Sequence, residues 1–215
     1  MLLVLGILGP VQADLIDFES GFSDRQAVTQ VITPTNAVYF RSRVGRRDQS
    51  SLFIAEVGLP TTAFVARDTP ADLNVSGRYF LTDEPNGPWA RFPYYMSFAR
   101  PVQNLSLNLY DYRIDGGPWI GDTVTLRVFD QGNNLVGTDV YTIGLPNPVN
   151  GNIILLSIMD PSAPIQSAFL DFSGRGDVGT GIDNISFSTV PLPSSLLLMG
   201  FGLLGLAGWR RFRKG

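Results

Sequence analysis

Leu105-Ser106-Leu107-Asn108-Leu109 alternates apolar and polar side chains without a break. Successive side chains of a strand point to opposite faces, so the three leucines share one face. A helical period would scatter them. Val124-Thr125-Leu126-Arg127-Val128 repeats the pattern, and Gln131-Gly132-Asn133-Asn134 reads as a hairpin turn leading into Leu135 to Ile143. Upstream, Tyr94 to Phe98 leads into the same stretch through Pro101. Further out lie Leu15 to Glu19, Ala37 to Phe40, Leu52 to Ala55, Ala63 to Ala66 and Arg78 to Leu81, with a basic turn over Arg41 to Asp48. Downstream, Ile153 to Ile158 is a continuous apolar run, expected to be a central strand. Ala168 to Phe172 and Ile182 to Phe187 complete about a dozen short strands, separated by Gly, Pro, Asn and Asp. Without intervening helical patterns, they predict an all-β fold: an antiparallel two-sheet β-sandwich of the jelly-roll type.

Composition narrows the chemistry. The 215 residues include 16 Lys and Arg, 19 Asp and Glu, and no His or Cys. Four of the basic residues are in the last six positions. The remainder therefore holds 12 basic against 19 acidic residues, a net charge of −7. Such a surface is unsuited to nucleic acid, whose phosphates need a basic face. The missing Cys excludes disulfides and thiol chemistry. The missing His excludes Ser-His-Asp and Cys-His catalysis and the usual zinc sites. Carboxylate chemistry and oxygen coordination of hard metals remain.

The two ends differ from the middle. Met1 to Ala13 reads as a signal peptide, with an apolar core over Leu2 to Leu8 and cleavage before Asp14. Residues 14–189 form the secreted domain, long enough for its own core. Residues 190–215 form a tail. Val190-Pro191-Leu192-Pro193 is stiff, residues 194–209 are apolar and rich in small side chains, and Arg210, Arg211, Arg213 and Lys214 close the chain. Val190 to Trp209 carries no charge, and as a helix would cover ~30 Å, about one hydrocarbon core. A C-terminal transmembrane helix over 194–209 is expected, its basic end held on the cytoplasmic side. Gly200-Phe201-Gly202-Leu203-Leu204-Gly205 matches a dinucleotide-loop pattern, but inside an apolar tail it serves helix packing.

The order Val-Pro-x-Pro, short apolar helix and Arg-rich end resembles the PEP-CTERM sorting signal of Gram-negative bacteria. Leu192 stands where that motif's name has Glu. The resemblance implies an exosortase-type membrane peptidase as partner, with cleavage near Val190 to Ser194. It also implies an inner-membrane intermediate, then residence at the cell surface or in the exopolysaccharide matrix. A removed tail leaves no membrane span in the mature protein.

Within the domain, Asp17-Phe18-Glu19 and Gly181-Ile182-Asp183-Asn184-Ile185 resemble the two ends of carbohydrate-binding jelly rolls. That resemblance implies a structural calcium, with Glu19, Asp183 and Asp17 as candidate ligands beside backbone carbonyls. The alternative is a solvated acidic edge. Two Gly-Pro-Trp loops carry Trp89 and Trp119, a candidate platform for sugar rings or else caps on the ends of the sandwich. Tyr94, Tyr95, Tyr110 and Tyr112 are near in sequence. Glu84, Asp111, Asp115, Asp122 and Asp130 offer carboxylates, but nothing selects an acid/base pair from them. The expected function is non-enzymatic: an exported structural or adhesive protein with weak glycan binding. The alternatives are a secreted carboxylate-dependent glycan hydrolase or lyase, and a permanently anchored single-span envelope protein.

Overall fold

The computed structural model describes residues 12–44, 47–49, 52–56, 77–82, 93–110, 123–142, 153–173 and 181–190. These contain thirteen strands and no helix. They are β1 (Ala13–Ile16), β2 (Ala27–Val28), β3 (Gln30–Ile32), β4 (Ala37–Val44), β5 (Arg47–Gln49), β6 (Leu52–Glu56) and β7 (Tyr79–Thr82). There follow β8 (Tyr94–Tyr110), β9 (Thr123–Phe129), β10 (Leu135–Thr142), β11 (Ile153–Ile158), β12 (Ile165–Phe172) and β13 (Gly181–Thr189). Every pairing among them is antiparallel.

The opening stretch belongs to β8, which has 17 residues, about three times the common strand length. Its first part lies between β4 and β12, with Tyr39 and Ser167 both opposite Ser97. Its last part lies between β13 and β11, with Ile182 and Ile154 both opposite Leu109. One arm of the sheet therefore runs β10-β9-β12-β8-β4, and the other runs β11-β8-β13-β7-β6-β2, with β1 beside β13. Where two separate sheets were expected, hydrogen bonding is continuous through β8.

Both arms turn their apolar faces to one interior. Tyr94, Met96 and Phe98 are buried at even positions of β8, and Leu105, Leu107 and Leu109 at odd ones. Period-2 alternation cannot do this unless one extra residue is inserted. The extra residue is Gln103: Ser188 faces Asn104 but Thr189 faces Val102. The neighbouring strand makes the same adjustment. Between Asp183 opposite Asn108 and Ser186 opposite Ser106, Asn184 takes a left-handed φ of 48°, a conformation Asn tolerates better than most residues. Ile182, Ile185 and Phe187 thereby stay in one core. Phe98 and Phe187, from different arms, meet edge-on at 5.2 Å.

Pro101 has no N–H to give a ladder, so the corner of β8 needs other partners. Asn36, 6% exposed, supplies them. Its Oδ1 accepts the Arg100 N–H at 2.9 Å, and its Nδ2 donates to the Arg100 carbonyl at 2.8 Å. The Gln166 amide donates to the Phe98 carbonyl. Asn36 is itself fixed by Thr33, whose hydroxyl accepts its N–H at 3.1 Å. The hydroxyls of Thr33 and Thr35 both donate to the buried carboxylate of Asp14 on β1.

Two expectations about strands change. Ile153–Ile158 is not central: among the described residues β11 pairs with β8 alone. Ile154, Leu156 and Ile158 are buried while Leu155 is 64% exposed, so a continuous apolar run can sit at a margin with one face outward. The basic turn over 41–48 is mostly ladder, because β4 continues to Val44 and pairs with β5. The strand expected over Ala63 to Ala66 lies outside the described residues, as do 1–11 and 191–215. The signal-peptide core and the helix over 194–209 therefore fall outside them too. No helix among the described residues is long and apolar enough to cross a membrane.

At the β9–β10 turn, Asp130 accepts the Asn134 N–H at 2.8 Å and its side-chain amide at 2.9 Å. These bonds hold the Asp130 carboxyl below the usual carboxylate range, the Asn134 side chain contributing most and the backbone N–H groups of Asn134 and Gly132 adding to it.

Two outcomes are expected. Asn36→Leu leaves both polar groups of Arg100 unsatisfied, and should lower stability by about 1–3 kcal/mol in urea unfolding. An unchanged midpoint would show that the corner does not depend on Asn36. Asp130→Ala should lower the melting temperature at neutral pH. A depressed folded pKa stabilises above the unfolded pKa, so the gap should close as pH falls below the ordinary carboxylate range. A gap of the same size at pH 2 would exclude the charge as its cause.

Candidate functional site

Of the three candidate calcium ligands, Asp17 and Glu19 follow β1 and Asp183 is on β13. The Asp17 Oδ1 accepts the Glu19 N–H at 3.2 Å, a local turn bond. The Glu19 Oε1 accepts the N–H groups of Arg78 at 2.7 Å and Tyr79 at 3.1 Å, joining the segment after β1 to the start of β7. Gly77 makes room for it: its φ is 69°, and a Cβ there would lie 2.0 Å from the same oxygen. Asp183 is fully buried on β13, in register with Asn108. Among the described residues no group of three or more acidic side chains comes together to hold a metal ion. A calcium ion here would need ligands beyond these carboxylates.

Trp89 and Trp119 lie outside the described residues, as do Tyr112, Glu84, Asp111, Asp115 and Asp122. Tyr94 is a core residue, packed edge-on against Phe172 at 5.7 Å. Tyr95 points the other way, and it leads to a site that the sequence reading did not assemble.

That site is the outer face of the first arm. Strand register places Tyr39, Ser97, Ser167 and Phe129 in one row across β4, β8, β12 and β9. The next row is Arg41, Tyr95, Phe169 and Arg127. Two serines between two aromatic side chains leave a trough with hydroxyls on its floor. Four strands at ~4.8 Å spacing make it about 14 Å wide. The cleft holds about 350 Å³ and is also lined by Asn133. The hairpin turn places Asn133 there with a left-handed φ of 61°, while the Asp130 bonds hold the turn.

The second row carries the charge. Tyr95 and Phe169 have ring centroids 4.7 Å apart at 43°. The Arg41 guanidinium lies 4.8 Å from the Tyr95 centroid, within cation–π range. Arg41 is exposed and makes no ion pair with the described residues. Arg127 is instead paired with Asp171 at 3.2 Å. No Asp or Glu is among the described residues lining the cleft. The signal for this face was present in the sequence as aromatics alternating with core residues: Tyr39 between Val38 and Phe40, Phe169 between Ala168 and Leu170. Register was missing, and only register makes them neighbours.

At the other end of the domain, β13 runs to Thr189, and the Val190 N–H donates to the Pro101 carbonyl at 3.2 Å. The sorting motif thus begins at the last hydrogen bond among the described residues. Pro191, Leu192, Pro193, Arg210, Arg211, Arg213 and Lys214 follow outside the described residues.

Comparison with solved structures supports the fold. A DUF4465 family protein from Bacteroides caccae is similar at a TM-score of 0.53, with 13% identity, over 83% of this chain and 100% of that one. The neighbours include carbohydrate-binding domains. The TmCBM61 module in complex with β-1,4-galactotriose has a TM-score of 0.40 and 11% identity, over 69% of this chain and 88% of that one. The CBM22-1 xylan-binding domain from Paenibacillus barcinonensis has a TM-score of 0.39 and 12% identity, over 86% and 99%. No curated protein matches the sequence. Residues 189–214 match the family described as the PEP-CTERM protein-sorting motif, and the chain carries that sorting signal directly behind β13.

Proposed function

We propose that this is an exported, non-catalytic surface or matrix protein of a Gram-negative bacterium, cut from its tail by an exosortase-type peptidase. Its two-layer, jelly-roll-type domain would be structural or adhesive, with weak glycan binding at the outer-face trough. The observation that carries the reading is the sorting motif at 189–214, beginning where β13 ends. A sorting signal sets the direction of export, and the peptidase follows from the signal. Met1 to Ala13 would be the matching export signal. Cleavage before Asp14 would leave the buried Asp14 carboxylate and its threonine partners in place.

The binding part rests on the trough. It offers aromatic rings, serine hydroxyls and a guanidinium, groups suited to the faces and hydroxyls of sugars. Its described lining supplies no carboxylate pair for glycoside hydrolysis. Trp89 and Trp119, outside the described residues, are the other candidate sugar platform. A structural calcium near Glu19, Asp17 and Asp183 is the remaining part of the proposal, completed by ligands outside these three.

The intact mass of protein recovered from the envelope or medium should show loss of Arg210 to Lys214, with the new C-terminus within Val190 to Ser194. Retention of the basic end would establish a permanent anchor instead. Thermal melting with added Ca²⁺ and with EDTA should differ in the wild type and coincide in Asp183→Asn. Identical wild-type curves would remove calcium from the reading.

A further inference from the structure

We propose that the outer-face trough takes a carboxylate-bearing, uronic-acid type of glycan, and that Arg41 is the residue that holds the sugar carboxylate. The inference rests on the glycan-binding reading and adds the ligand's chemical class.

The second row holds two arginines, Arg41 and Arg127. They flank the same two rings, Tyr95 and Phe169, but their charges are used differently. Arg127 has a carboxylate partner in Asp171 at 3.2 Å, so that end of the row is neutralised within the protein. Arg41 has a ring beneath it and no carboxylate among the described residues. A guanidinium stacked on an aromatic face keeps its edge donors free, and those donors match a carboxylate in bidentate geometry. Contact with the ring also restrains the side chain before a ligand arrives, so less side-chain freedom is lost on binding.

The rest of the trough is neutral and suited to a sugar chain. Ser97 and Ser167 can donate to and accept from ring hydroxyls, and Tyr39 and Phe129 stand at the two ends of their row. A purely neutral glycan would use these groups and leave the Arg41 charge unmatched. A sugar carboxylate uses both. The net charge of −7 outside the tail does not forbid this. At physiological ionic strength, charges beyond ~8 Å are largely screened, while a contact ion pair is not. Selectivity therefore comes from Arg41 at contact.

The test uses the full chain in a mild non-ionic detergent, with calorimetric titration of polygalacturonate and alginate. Fully methyl-esterified polygalacturonate serves as the neutral partner with the same sugar ring. At least one uronate polymer should bind about tenfold more tightly than the ester. Arg41→Gln should abolish that preference, weakening acid binding more than ester binding, and raising the salt concentration should narrow the preference in the wild type. Tyr95→Ala should weaken both acid and ester. Tyr39→Ala, at a more exposed position, reads the same stacking if Tyr95→Ala does not fold. Equal affinity for acid and ester, or an acid preference that survives Arg41→Gln, overturns the inference while the glycan-binding reading stands. A parallel titration with β-1,4-galactan and xylan separates the remaining outcomes. Binding of these but of neither uronate polymer overturns the acidic class alone. Binding of no polysaccharide overturns both.

Discussion

The fold depends on how β8 turns its corner. One strand serves two arms of the sheet, so at Pro101 it must leave one set of partners and join another without stranding polar groups. Asn36 meets that constraint by lending its side-chain amide as a substitute for a strand, taking both the N–H and the carbonyl of Arg100. An amide can do this because it carries a donor and an acceptor on one plane. The network continues through Thr33 and Thr35 to the buried Asp14 carboxylate, so the first strand is tied to the turn that holds the corner. Buried networks of this kind act as units, and losing one member leaves the others desolvated.

The corner has two consequences. The bulge at Gln103 keeps the apolar residues of both halves of β8 facing inward, which makes a single core possible. It also leaves, on the outer face of the first arm and beyond the shift between Ile165 and Ser167, a regular register of β4, β8, β12 and β9 over Tyr94 to Ser97. The aromatic and arginine rows form on that face. Outward positions on a strand carry no packing duty, so aromatics there are free to meet a ligand.

The same geometry organises the ends of the domain. Asp14 of β1 is opposite Phe187 of β13, three residues before the sorting motif proper. The beginning and the end of the domain therefore leave from one place, and the ladder closes at Val190. A sorting tail attached there can be removed without breaking a hydrogen bond of the described fold, since the last of them is made by the Val190 N–H.

Alternation in Leu105 to Leu109 and Val124 to Val128 was enough to establish an all-β antiparallel domain, and the ordered features of the tail were enough to identify the sorting signal. Both are local: side-chain period and terminal composition act over a few residues. The sequence misplaced Ile153 to Ile158, because an apolar run reports hydrophobicity and not the number of neighbours. It named Tyr95 only as near other tyrosines, and passed over Tyr39, Phe129, Phe169 and Arg41. The candidate site existed only after register had been set. The register shift between Ile165 and Ser167, invisible to a period-2 reading, comes just before the part of β12 that carries the site. What the sequence by itself determined was the class of fold and the address at its end. The tertiary structure decided which side chains share a face, because hydrogen-bond register joins segments far apart in the chain: Tyr39 and Ser167, 128 positions apart, become neighbours in one row only by each pairing with Ser97.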